Sequence, residues 1–129
     1  EGTLAHLILL DQIPRNVGRA TARAFAGDSR ARAVAHGALA RGLDLATPEP
    51  ARQIFYLPFM HSEFVADQAL SVALFATRMP ETGADNLDHA IRHRDVIRRF
   101  GRFPSRNAAL GRADREAETA YREAGGYMG

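Results

Sequence analysis

Cysteine, lysine and tryptophan are all missing from this sequence. Without cysteine there can be no disulfide, no thiolate metal site and no cysteine nucleophile. Without lysine, all 17 basic residues are arginine. That rules out a Schiff-base amine, a pyridoxal-phosphate anchor and the lysine of a Walker phosphate loop. No Gly-rich phosphate loop or dinucleotide fingerprint is present either, so the sequence names no cofactor. Long apolar runs are lacking as well. Residues 4–10 form a short one without a basic region before it, which reads as a core helix and not as a signal peptide. Nothing approaches the ~20 apolar residues of a membrane span, so no membrane association is expected and the expected location is cytoplasmic.

What is present suits one domain. A chain of 129 residues, 46% hydrophobic and 25% charged, can bury one core but not two. The formal charge is only +2, with arginines mixed among 15 acids, a weak footprint for nucleic acid. Residues 92–106 are denser in Arg92, Arg94, Arg98, Arg99, Arg102 and Arg106, against Asp95 alone. A solvated helix face is the preferred reading there, ahead of a nucleic-acid face.

The apolar spacing is helical throughout, with no sustained alternation of period two. Residues 3–13 predict a buried helix with Leu4, Leu7, Ile8 and Leu10 inward and Pro14 at its end. A connector follows over residues 14–27, anchored by Phe25. Asp28 or Ser29 is the expected cap of a helix running to Arg41, whose small face is Ala33, Val34, Gly37, Ala38 and Ala40, with Gly42 beyond it. Thr47-Pro48-Glu49-Pro50 opens another helix that Pro58 stops or kinks. Ser62 is the expected cap of a long helix to Arg78, with Phe64, Val65, Ala69, Val72, Leu74 and Phe75 inward. Asp85 caps a helix that ends at Gly101. A polar terminal helix over residues 113–124 is laced by a Glu118–Arg122 pair. The class is all-α: six to seven short helices, with short connections and antiparallel neighbours.

Three polar clusters stand at helix boundaries. They are Asp11, Arg15 and Asn16 around Pro14; His61, Ser62 and Glu63 after Pro58; and Arg102, Arg106 and Asn107 around Pro104. Arginine forks hold carboxylate or phosphate in bidentate geometry, and freed N–H groups at helix ends assist. A histidine beside a carboxylate transfers protons near neutral pH. His89 and His93 share a helix face, and His93 can reach a site from another helix. His61, Glu63, His93 and Asp11 are also metal-ligand types, but no local metal motif accompanies them and no metal is assigned. Ser62 has no nucleophile elbow and reads as a cap. The competing reading is that the arginines pair internally with Asp11, Glu63, Asp67 or Asp95 and lock helix ends together.

These stretches resemble a known family. Residues 9–16, residues 56–63 with Asp67 and Gln68, and residues 93–107 are similar, in order, to motifs of the bacterial domain-of-unknown-function family numbered 924. The resemblance implies a tetratricopeptide-like helical array and no established activity. The family pattern has histidine where Ser105 stands. It also carries an aromatic-rich helical segment ahead of the equivalent of Leu4, so the chain looks like a member lacking it. The apolar face thereby left open is expected to meet a partner or a second copy.

The expected function is a polar pocket for a small anionic ligand. Asp11, Arg15, Asn16, Arg102, Arg106 and Asn107 are its binding residues, and His61, Glu63 and His93 are its acid–base residues. The alternative is a helical protein-interaction module in which the same motifs are struts.

Overall fold

Every regular element is helical in the residues that the computed structural model describes, 2–14 and 21–129. Helix α1 (Gly2–Leu7) widens at once into a π-helical turn over Ile8–Gln12. A 3-10 turn, Ala22–Phe25, leads into α2 (Asp28–Ala40). A second, Ala51–Phe55, leads into the short α3 (Leu57–Met60). The two long helices α4 (Val65–Arg78) and α5 (Ala84–Phe100) pack on each other as the principal pair. A third 3-10 turn, Pro104–Arg106, precedes α6 (Glu116–Glu123).

Apolar side chains collect in two places. The larger core joins Leu7 of α1, Ala31, Ala35 and Ala38 of α2, Phe55, Tyr56 and Phe59, and Leu74, Phe75 and Ala90 of the long pair. Burying each large side chain contributes about 1.5–3 kcal/mol, and the alanines let backbones approach closely. Tyr56 is fully buried and its ring meets Phe75 edge-on at 5.5 Å. Its hydroxyl donates to the buried Asp44 carboxylate at 2.7 Å, and Arg78 donates to the same oxygen at 2.7 Å. Burial pushes the Asp44 carboxyl up, but these two bonds outweigh it and leave it below the usual range. The smaller core, Val96, Ile97, Phe100 and Phe103 with Tyr121 and Tyr127 against it, lies under the far half of α5. The 17 residues of α5 therefore serve both cores. His93 sits between them.

Helix phase is where the structure departs from expectation. Ser62 does not start α4. It accepts from the Phe64 N–H at 3.1 Å and donates to Asp67 at 2.7 Å, so Phe64 stays extended and the helix begins at Val65. Phe64 and Val65 are consequently exposed, and the inward face is Gln68, Ser71, Leu74 and Phe75. In α2 the buried positions are Ala31, Ala35 and Ala38, while Ala33, Gly37 and Ala40 face outward. Phe25 is only partly buried, and Ala24 is the buried residue of its turn. Pro58 lies in the first turn of α3 and does not end a helix.

Neither Asp28 nor Ser29 caps α2, and Gly83 replaces Asp85 before α5. At residue 27 the reason is a close approach. A Cβ there would lie 2.5 Å from the Leu10 carbonyl oxygen, immediately before Asp11. Gly27→Ala should therefore force the π turn away from α2 and destabilise by about 1–3 kcal/mol, as overpacking against backbone does. A urea midpoint equal to that of the wild type would show that the two segments can part without loss.

Candidate functional site

The His61 turn is tied down by bonds from the start of α4 and from the 103–112 segment 40 and more residues away. Gln68, buried one turn into α4, sends its side-chain amide to the carbonyls of Met60 and Ser62 at 2.7 and 2.6 Å. Glu63 accepts both arms of Arg112, at 2.9 and 3.1 Å, and the Phe103 N–H at 2.6 Å. Burial alone would raise the Glu63 carboxyl, but the Arg112 and Phe103 bonds bring it below its ordinary value. Arg106 donates to the His61 carbonyl at 2.5 Å. Its guanidinium is clamped between the rings of Phe25 and Phe103, 4.5 and 4.7 Å from their centroids, with Asp28 at 3.7 Å. A cation so stacked is fixed in orientation.

Onto this turn the π segment delivers Asp11. The residue is only 1% exposed, and one carboxylate oxygen lies 2.9 Å from His61 Nδ1 while the other accepts from the Gln12 amide. An ionised carboxylate only accepts, so His61 Nδ1 carries the hydrogen and Nε2 is left as the basic nitrogen. Single π turns within α-helices recur at functional sites, because the extra residue re-aims a side chain. Here the re-aimed side chain is Asp11.

His93 completes the group from α5, its ring centroid 6.5 Å from that of His61. It packs edge-on against Phe103 at 5.4 Å and Tyr127 at 5.5 Å, and donates from Nδ1 to the His89 carbonyl at 2.8 Å. Burial drives the imidazole down to about 4, helped by the nearby His61, His89 and Arg106 charges and opposed by the His89 bond. His93 is thus neutral near pH 7.

Of the residues expected in one pocket, the structure gathers Asp11, His61, His93 and Arg106. Arg15 and Asn16 lie outside the described residues. Arg102, Asn107 and Glu63 stand nearby but their polar atoms are engaged internally. Arg102 grips Glu118 with two bonds of 2.7 Å. Asn107 donates to Asp114 at 2.9 Å and to Glu118 at 3.2 Å, and receives Arg112 at 3.1 Å. The expected Glu118–Arg122 pair is not made, because Arg122 reaches Asp114 at 2.7 Å. Sequence reasoning missed Arg112, Glu118 and Tyr127 as members of this region. Their partners are 49, 16 and 34 residues away, beyond any local pattern. Gln68 was visible in the second motif, but without a role. Among the described residues no group of three or more His, Cys, Asp or Glu is placed to hold a metal ion, and no helix is long and apolar enough to cross a membrane.

No curated protein matches the chain. A structure of a protein of unknown function, ATU0120 from Agrobacterium tumefaciens, is similar at 43% identity with a TM-score of 0.86, covering 95% of this chain and 67% of its own. The family model described as a bacterial protein of unknown function, DUF924, matches residues 1–126. By that match over nearly its whole length, the chain belongs to the DUF924 family.

Proposed function

We propose that this protein binds a small anionic ligand beside His61, His93 and Arg106, with His61 as the group that takes or gives a proton. The observation that carries this reading is the buried Asp11 carboxylate held to His61 Nδ1 at 2.9 Å. A carboxylate in a residue that is 1% exposed needs partners to be tolerated, and the bond to His61 fixes a histidine tautomer with Nε2 basic. Arg106 brings a stacked positive charge to the His61 turn from the Pro104–Arg106 turn. His93, kept neutral by burial, supplies a hydrogen-bonding nitrogen without adding a second cation. Glu63, Arg102 and Asn107 act as braces for the turn in this reading.

The test is a thermal-shift screen with inorganic phosphate, short mono- and dicarboxylates and divalent metals, on the wild type, His61→Ala and Arg106→Ala. A ligand that binds only the folded state at a hundred times its Kd stabilises by about 2.7 kcal/mol, so the melting temperature rises in the wild type. The rise is expected to vanish in both variants. No shift from any compound, with both variants strongly destabilised, would make these residues internal struts.

That outcome would favour the second reading, a helical interaction module. Its support is the exposure of Leu9 and Ile13 on the first helical segment and of Phe64 and Val65 at the start of α4. Exposed apolar residues at the end of a helical stack suit a protein partner or a second copy.

A further inference from the structure

The Tyr127 hydroxyl bridges two histidines of α5, 3.3 Å from Nδ1 of the buried His93 and 2.7 Å from Nδ1 of the exposed His89. One backbone carbonyl settles where each hydrogen of this chain sits. The His89 carbonyl only accepts, so its 2.8 Å bond puts the His93 hydrogen on Nδ1. The Tyr127 oxygen therefore accepts from that same N–H, and its own hydrogen is left for His89 Nδ1. A neutral His89 then carries its hydrogen on Nε2. The chain runs in one direction, from the buried ring to the surface.

The tyrosine is fixed where this needs it. Its ring packs edge-on against His93 at 5.5 Å and under the Arg92 guanidinium at 5.4 Å, and its carbonyl accepts from Tyr121 at 2.9 Å. Burial pushes the Tyr127 hydroxyl up, so it keeps its hydrogen at neutral pH. Asp85 and His93 stand one turn either side of His89 on α5, with Asp88 and Arg92 alongside. His93 also lines a cleft with Val96, Phe103 and Ser105 that has about 10 Å³ to spare, room for one water. The His61 ring, 6.5 Å away between centroids, is within reach through one water or one ligand oxygen.

We propose that His93, Tyr127 and His89 form a proton relay between the site beside His61 and solvent. This rests on the reading of His93 as part of that site. A proton arrives at His93 Nε2 as the Nδ1 hydrogen crosses to the Tyr127 oxygen, and the tyrosine's hydrogen crosses to His89 Nδ1. His89 then gives its Nε2 hydrogen to water. One proton has left the site, each ring has exchanged one N–H or O–H bond for another, and all three are neutral again. The same path run backward brings a proton in. His93 is a conduit here and His61 remains the base. The burial that drives the His93 imidazole down to about 4 keeps the charge from resting there. Tyr127 and His89 act through His93 and touch no ligand.

Tyr127→Phe and His89→Gln test the relay in the free protein. NMR of nitrogen-labelled histidine reads the tautomer of each ring, and saturation transfer from water reads the exchange of the His93 Nδ1 hydrogen. In the wild type, His93 should carry its hydrogen on Nδ1 and His89 on Nε2. Both substitutions keep the residue 89 carbonyl and the ring at 127, so His93 should keep its tautomer. Its Nδ1 hydrogen should exchange at least about tenfold more slowly, as removal of a positioned proton-transfer group implies. Exchange through local opening predicts the opposite sign, because losing either bond loosens the segment. A signal broadened away in the wild type and sharp in both variants is the expected slowing in its extreme form. A rate equal to or above wild type in either variant, a signal absent from all three proteins, or a wild-type His89 with its hydrogen on Nδ1 overturns the relay. Slowed exchange with an empty ligand screen removes only the ligand reading, and equal rates in a protein that binds a ligand remove only the relay.

Discussion

Glu118→Ala should unfold the protein more readily than any other single change in the motif region, by about 3–5 kcal/mol, as removal of one member of a buried ion pair does. Glu118 is fully buried. Its carboxylate accepts Arg102 Nε and Nη2, each at 2.7 Å, together with Asn107 at 3.2 Å and the Arg115 N–H at 2.8 Å. Taking it away leaves the Arg102 guanidinium, only 15% exposed, without its counter-charge and frees two further donors. The melting temperature should fall on the order of 10–20 °C for a domain of this size. Glu118→Gln keeps the shape and half of the acceptor capacity and should lie between the two. Arg102 holds the Glu118 carboxyl down, at about 2 against an ordinary 4.5. The pair's contribution is therefore complete above pH 4.5 and is lost as the pH falls toward 2. The alanine variant should lack that acid-side loss. A variant within about 1 kcal/mol of wild type would mean that the pair behaves like an exposed one.

The same residue shows why part of this region was illegible in the sequence. An i,i+4 neighbour, Arg122, was the visible partner for Glu118, but the partner chosen by the fold is 16 residues away. Local spacing reports what can meet on one helix and is silent about what arrives from another element. Helix phase failed for a related reason. Ser62 offers its oxygen to a local N–H as expected, but it does so two residues on, leaving Phe64 extended. With α4 starting at Val65, two residues later than a Ser62 cap implies, Phe64 and Val65 stand exposed at its first turn and Ala69 faces outward, while Leu74 and Phe75 are buried as expected. Gln68 is buried, although not expected inward, because its amide bonds the carbonyls of the turn holding His61, and Ser71 is buried with it on the same face. At Gly27 a tertiary approach to Leu10 overrides the better capping chemistry of Asp28. What did carry through is the class and the long α5 ending at a left-handed Gly101; the structure also places Asp11, His61, His93 and Arg106 near one another from three separated motifs. Those motifs were legible because each sets ionisable residues beside a proline.

Lowering the pH from 6.5 toward 4 should weaken the fold by up to roughly 3 kcal/mol through His93 alone, at ~1.4 kcal/mol per pKa unit of displacement. In the unfolded chain this histidine takes its proton near 6.5, whereas in the fold burial holds it to about 4. Within that window the unfolded state binds more protons, so stability rises with pH and is flat, for this residue, above 6.5. The groups facing the imidazole are His61, His89, Arg106 and Tyr127, and none supplies a carboxylate to keep a proton there. His93→Phe keeps a ring against Phe103 and Tyr127 and cannot titrate. Its urea midpoints should therefore change less between pH 6.5 and 4.5 than those of the wild type. That interval lies above the Glu118 window, so the two contributions separate. Equal slopes in variant and wild type would place the His93 proton affinity near its ordinary value and remove the argument for a dry site. A pKa near 4 also divides the labour within the proposed site. Such an imidazole is too weak a base to remove a proton at neutral pH, but it is a good neutral acceptor, and its neutrality spares His61 a cationic neighbour 6.5 Å away. Proton transfer then falls to the histidine that the buried carboxylate of Asp11 orients.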